Sequence, residues 1–132
     1  MTPSRLSLTF LILTLSFVFI HAQEQDNGQR NDLVVGVREP KDYLIQREAV
    51  KVDPGFENVF KASYERTFTG NNNAIITQYR ALDQHPNGHG ATAIPIGGGV
   101  GENYVTLKFK PELFRGIDFI VELYGKPRIP NA

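Results

Sequence analysis

From Asn103 to Lys110 the chain reads NYVTLKFK, and apolar and polar residues alternate without a break. Val105, Leu107 and Phe109 fall on one side, and Tyr104, Thr106, Lys108 and Lys110 on the other. Period two is the repeat of an extended strand with one buried face, and it excludes a helix, whose apolar stripe recurs every three to four residues. The pattern returns in GIDFIVELYG, where Ile117, Phe119, Val121 and Leu123 form one face and Asp118 and Glu122 the other. With only PELFR between them, the two segments read as an antiparallel hairpin. A third instance is NVFKASYERTFT, in which Phe60, Ala62, Tyr64 and Phe68 share a side and Arg66 alone is out of pattern.

The rest of the chain supplies shorter strands and turns. Order is expected to begin near LVVGV, Leu33 to Val37; YLIQREAVKV has mixed patterning and runs into the turn signal Asp53-Pro54-Gly55. AIITQYRALDQ also fits a helical stripe, but β-branched Ile75, Ile76 and Thr77 beside Tyr79 favour a strand. GNNN before it breaks the pattern, and Asn87-Gly88 in HPNGHG after it favours a type I′ hairpin turn. Pro95 makes ATAIPIGGG an edge or irregular strand. The expected fold is all-β: a single-domain antiparallel sandwich or barrel of six to seven strands over residues 33–125. A flexible polar leader, residues 23–32, precedes it, and KPRIPNA, residues 126–132, follows as a tail.

Residues 1–22 have the pattern of a secretory signal peptide: Arg5, an apolar run from Leu6 to Ile20, and the small residue Ala22. The run falls short of the about 20 residues that a membrane-spanning helix needs. The expectation is a secreted, extracellular monomer without a membrane anchor. The chain has 14 basic and 14 acidic residues, a balance that argues against a nucleic acid as partner. Cysteine is absent, so the fold holds together without disulfides and relies on its apolar core.

The glycine run in IGGGVGENYVTLKFK, Ile96 to Lys110, invites comparison with phosphate-binding loops. A dinucleotide fingerprint starting at Gly97 would need glycine where Glu102 stands and a helix where the alternating strand follows; no Gly-Lys-Ser/Thr is present either. The run is expected to be backbone architecture, a place for positive φ, a bulge or close chain approach. Asp83, His85 and His89 have loose metal-ligand spacing but crowd a Pro-Asn-Gly turn, so a solvated turn is the preferred reading and no metal or cofactor is expected. Asp118 and Glu122, four residues apart at ~3.3 Å each, stand about 13 Å apart, too far to share a proton. With no thiol and no Gly-x-Ser-x-Gly, no catalytic residue is assigned and the protein is expected not to be an enzyme. Two binding surfaces remain: Tyr104, Lys108 and Lys110, joined by Tyr124, on exposed strand faces; and an interior of Phe60, Tyr64, Phe68, Val105, Leu107, Phe109, Phe119 and Val121. The first suits a partner and the second an apolar ligand, though solvated faces and a filled core are the plainer readings.

Taken in order, GVR…D…ITQYRALDQ…GGGVGENYVTLKFK…FIVELYG resembles the insect multiprotein bridging factor 2 family from about Val35 to Gly125. The resemblance rests on Asp83-Gln84, on Gly98-Gly99-Val100-Gly101 leading into Asn103, and on the closing Val121 to Gly125. It assigns structural roles to Asp83, Gln84, Gly98, Gly99, Gly101, Asn103, Tyr124 and Gly125. Lys41-Asp42 stands where the family has Gly-Asp, Tyr79 replaces an aliphatic, and PELFR replaces a Ser- and Gly-rich link. The family name implies a transcriptional coactivator, whereas many members look like small secreted salivary or venom proteins of arthropods. The expectation is therefore a non-enzymatic secreted protein that acts by surface binding to a host, prey or plant protein. The alternatives are a carrier of a small apolar ligand and a nuclear coactivator.

Overall fold

The computed structural model describes residues 30–54, 63–71 and 73–129. The expected signal peptide, most of the leader, Gly55 of the expected turn, residues 58–62 of the third alternating segment and residues 130–132 of the expected tail lie outside the described residues. Seven strands make up the described fold: β1 (Leu33–Gly36), β2 (Tyr43–Val52), β3 (Tyr64–Thr69), β4 (Ala74–Asp83), β5 (Ala91–Gly98), β6 (Tyr104–Pro111) and β7 (Ile117–Pro127). They form a four-stranded sheet in the order β1-β4-β7-β2 and a three-stranded sheet in the order β3-β6-β5. Every pairing is antiparallel. The all-β expectation is met.

The core lies between the two sheets. Phe68, Val105, Leu107 and Phe109 from the smaller sheet meet Val50, Ile76, Phe119, Val121 and Leu123 from the larger, each no more than 1% exposed. The Phe109 and Phe119 rings pack at a centroid distance of 5.2 Å and a tilt of 52°, which spares them a face-to-face stack. Burying each of these aromatic side chains contributes about 1.5–3 kcal/mol.

That same contact overturns the hairpin expected of β6 and β7. They lie in different sheets, β6 between β3 and β5 and β7 between β4 and β2. Alternation specifies which face of a strand is buried, but two strands with apolar faces can satisfy it equally by facing each other across a core. PELFR is thus a crossing between sheets. The hairpin expected at Asn87-Gly88 fails likewise, since β4 and β5 belong to different sheets, although Gly88 does adopt positive φ. Among the described strands only β5 and β6 are consecutive and pair with each other, and the glycine run joins them. β5, with Pro95, lies at a sheet edge as expected. At the C-terminus β7 continues beyond Gly125, with Pro127 opposite Ala74.

Arg66, the residue out of pattern, has a structural reason. It lies opposite Leu107 on the inner side of edge strand β3, where its guanidinium bonds Glu48 on the inner side of edge strand β2. This ion pair ties the two sheets along one open side, and its inward charges protect both edges from pairing with other strands.

Candidate functional site

The densest polar constellation lies on the outer face of the four-stranded sheet. In a row across three strands, Arg80 of β4 and Arg47 of β2 both stand opposite Glu122 of β7. Glu122 faces away from the core, yet it is only 3% exposed because its neighbours cover it. Arg47 donates to Glu122 Oε2 from Nε at 2.9 Å and Nη2 at 2.5 Å, and the Tyr124 hydroxyl donates to the same oxygen at 3.2 Å. Arg80 Nη1 stands 3.8 Å from Oε1. The Arg38 guanidinium lies 4.2 Å above the Tyr124 ring, a cation–π contact. Burial pushes the Glu122 carboxyl up, but the hydrogen bonds from Arg47 and Tyr124 and the charges of Arg47 and Arg80 outweigh it and hold the group below the usual carboxylate range. Hydrogen bonding to Glu122 in turn raises Arg47. Two guanidiniums and a phenol hydroxyl therefore surround one carboxylate, and the Arg47 side chain remains 59% exposed. Planar, oriented guanidiniums of this kind suit carboxylates and other oxyanions on a partner's surface.

Nothing in the local sequence marks Glu122 as covered. Its arginine partners are 75 and 42 positions away along the chain, and only strand pairing brings them to it.

The expected structural residues fall into three groups. Asp83, fully buried at the end of β4, accepts hydrogen bonds from the Asn31 amide at 3.0 Å and the His85 amide at 2.9 Å. Asn31 Nδ2 donates to the carbonyls of Gly88 and Ala91, and Asp32 accepts from the Asp83 amide, so Asp83 fastens the segment before β1 to the β4–β5 connection. Gln84 continues this corner with its amide donating to the Asp118 carbonyl. The end of the expected leader is thus part of the fold.

Gly98, Gly99, Gly101 and Asn103 form the second group and answer the question of the glycine run. The Gly101 amide donates to the Ile76 carbonyl at 2.9 Å, and the Ile76 amide donates to the Glu102 carbonyl at 2.9 Å. β1 pairs with β4 only from Gln78 onward, so this loop covers the stretch of β4 that β1 leaves unpaired. The Asn103 carbonyl accepts from the Gly70 amide. Gly98 has φ +64, and a Cβ there would stand 2.3 Å from the Tyr104 carbonyl oxygen, so the loop needs glycine at this point. The run is a clasp from the smaller sheet onto the larger.

Tyr124 and Gly125 are the third group. Tyr124 is 7% exposed and belongs to the arginine constellation. It does not join Tyr104, Lys108 and Lys110, which lie on the outer face of the other sheet, because β7 and β6 are in different sheets. Gly125 sits beside the bulge of β4, where a Cβ would stand 2.0 Å from the Ile75 carbonyl oxygen.

Two further expectations change in detail. Tyr64, read as interior, is 38% exposed: it stands at the open end of the sandwich, where β3 begins. There Val52, Asp53, Ser63, Tyr64, Pro111 and Ile117 help to line a cleft of about 100 Å³. The two histidines part company, His85 Nδ1 lying 3.6 Å from Asp83 and His89 Nδ1 lying 3.5 Å from Glu112.

Comparison with known proteins adds two findings. A family model described as "Transcription activator MBF2" matches residues 35–125. A protein of Bombus ignitus named "Probable salivary secreted peptide" is 35% identical over 106 residues, covering 80% of this chain and 78% of the relative. No solved structure matches.

Proposed function

The chain belongs to the MBF2 family, and from that membership we propose that it is a secreted, non-enzymatic salivary or venom component that acts by surface binding to a protein of a host, prey or plant. The observation that carries this reading is the relative from Bombus ignitus, whose printed name describes a salivary secreted peptide and which aligns over most of both chains. The apolar run from Leu6 to Ile20 followed by Ala22 supports export of this chain as well. The outer face of the larger sheet supports a binding role: its guanidiniums are oriented by Glu122 while Arg47 stays open to solvent.

The second reading is a transcriptional coactivator, favoured by the family description alone. One experiment separates the two. Mass spectrometry of the protein recovered from salivary or venom secretion is expected to find a mature N-terminus at Gln23. Recovery of the full-length chain from cell nuclei, with none in secretion, would overturn the secreted reading in favour of the coactivator.

A further inference from the structure

On the outer face of the four-stranded sheet the negative charge is covered and the positive charge is not. Read across the strands, one row is Val34 of β1, Arg80 of β4, Glu122 of β7 and Arg47 of β2. The Glu122 side chain is 4% exposed, while those of Arg47 and Arg80 are 59% and 36% exposed. Arg47 directs Nε and Nη2 at Glu122, and Arg80 comes no closer to it than 3.8 Å. Arg38, exposed in the connection to β2, lies over the Tyr124 ring. Its charge also acts on Asp42, but that carboxylate turns to the Thr77 hydroxyl and the Glu39 amide. Among the described residues, no acceptor takes a hydrogen bond from the Arg38 or Arg80 side chain. A molecule approaching this row therefore meets guanidinium N–H groups and no open carboxylate.

The neighbouring rows are apolar. Two residues along the strands, about 6.6 Å away at ~3.3 Å per residue, Leu82, Ile120 and Ala49 stand side by side. Ala49 is exposed, and Leu82 and Ile120 are half-buried. On the other side Tyr124 stands beside Leu44, which is 39% exposed. Guanidiniums next to apolar side chains make up a protein-contact surface, in which apolar groups exclude water and charges fix the register.

We propose that this face docks a segment of a partner protein in which carboxylates alternate with apolar side chains. The carboxylates lie over Arg38, Arg47 and Arg80, and the apolar side chains cover Leu82, Ile120 and Ala49. The proposal rests on the reading of the protein as one that acts by surface binding, and it names the chemistry of what is bound. Two observations select this occupant. Arg47 already holds a carboxylate within the chain, which shows the chemistry that these guanidiniums accept. A sulfated polysaccharide would satisfy the guanidiniums but leave the apolar row in water, whereas an acidic and apolar protein segment covers both.

Fluorescence anisotropy of a short fluorescein-labelled peptide of alternating glutamate and leucine, titrated with the secreted chain, tests the proposal. Saturable binding that weakens as salt is added is expected. Peptides with glutamine in place of glutamate, or serine in place of leucine, are expected to bind at least about tenfold more weakly. Arg38→Gln and Arg80→Gln are each expected to weaken binding by about tenfold with little change in melting temperature, since neither side chain holds the fold by a hydrogen bond. Ala49→Glu places a negative charge on the exposed end of the apolar row and is expected to weaken binding similarly. Lys110→Gln, on the outer face of the other sheet, is expected to leave it unchanged. No binding, equal binding of the glutamine peptide, or full binding by the two arginine variants would overturn the proposal. So would heparin binding that depends on Arg38 and Arg80 while the glutamate–leucine peptide fails to bind, an outcome that assigns the face to a sulfated polysaccharide. The titration uses purified protein, so its failure leaves a mature N-terminus at Gln23 in secretion untouched, and failure to find that N-terminus leaves the peptide affinity untouched.

Discussion

Glu122 shows how far a residue's surroundings can differ from its place in the sequence. It occupies the solvent side of a strand, yet Arg47, Arg80 and Tyr124 enclose it. Its carboxyl is held below the ordinary value of 4.5, so the group favours folding most at pH values above that value. The contribution is lost as pH falls through the lowered folded-state value, because protonation then removes the charge that the guanidiniums satisfy. Glu122→Gln is expected to cost about 1.5–3 kcal/mol at neutral pH, the scale of a hydrogen bond to a charged group, and to flatten the acid limb of the stability curve. Urea unfolding at several pH values measures both. Lys41 is the opposite case, an exposed residue whose backbone is the difficulty. It has φ +75, a left-handed conformation that glycine adopts freely. Lys41→Gly is expected to raise stability by up to about 1 kcal/mol, read as a higher urea midpoint, since a left-handed conformation is costly for a side chain and free for glycine.

At the scale of elements, individual strands were legible and their partners were not. The alternation of β6 and β7 identifies Val105, Leu107, Phe109, Phe119, Val121 and Leu123 as inward-facing, and all six are buried. Whether two such strands lie side by side or face to face depends on the path of PELFR, and five residues permit either course. Tyr64 departs from its expected interior place for a related reason: periodicity gives its side of the strand but not its distance from the sandwich's open end. Glycine chemistry was more informative, because the run at 97–101 has no phosphate motif and the structure uses it as a clasp. The clasp allows an internal control. Gly98→Ala meets the Tyr104 carbonyl and is expected to prevent the loop from closing, with a severe loss of thermal stability. Gly101 has φ +91 but open space around it, so Gly101→Ala is expected to cost only about 1–2 kcal/mol from backbone strain. Thermal melts of the two variants side by side separate crowding from conformation.

For the whole molecule, two devices do the work that disulfides do in many small secreted proteins. The apolar faces supply the adhesion, while the Arg66–Glu48 pair and the glycine clasp fix how the sheets meet. β1 begins opposite Ala81, near the end of β4, and β7 finishes opposite Ala74, at its start. A load applied at Leu33 and Pro127 therefore runs lengthwise along β4, over a span of about 23 Å at ~3.3 Å per residue. Tension in that direction shears the β1–β4 and β4–β7 ladders, whose bonds lie across the pull and must yield together instead of one after another. A protein held by its two ends would resist stretching out of proportion to its thermal stability.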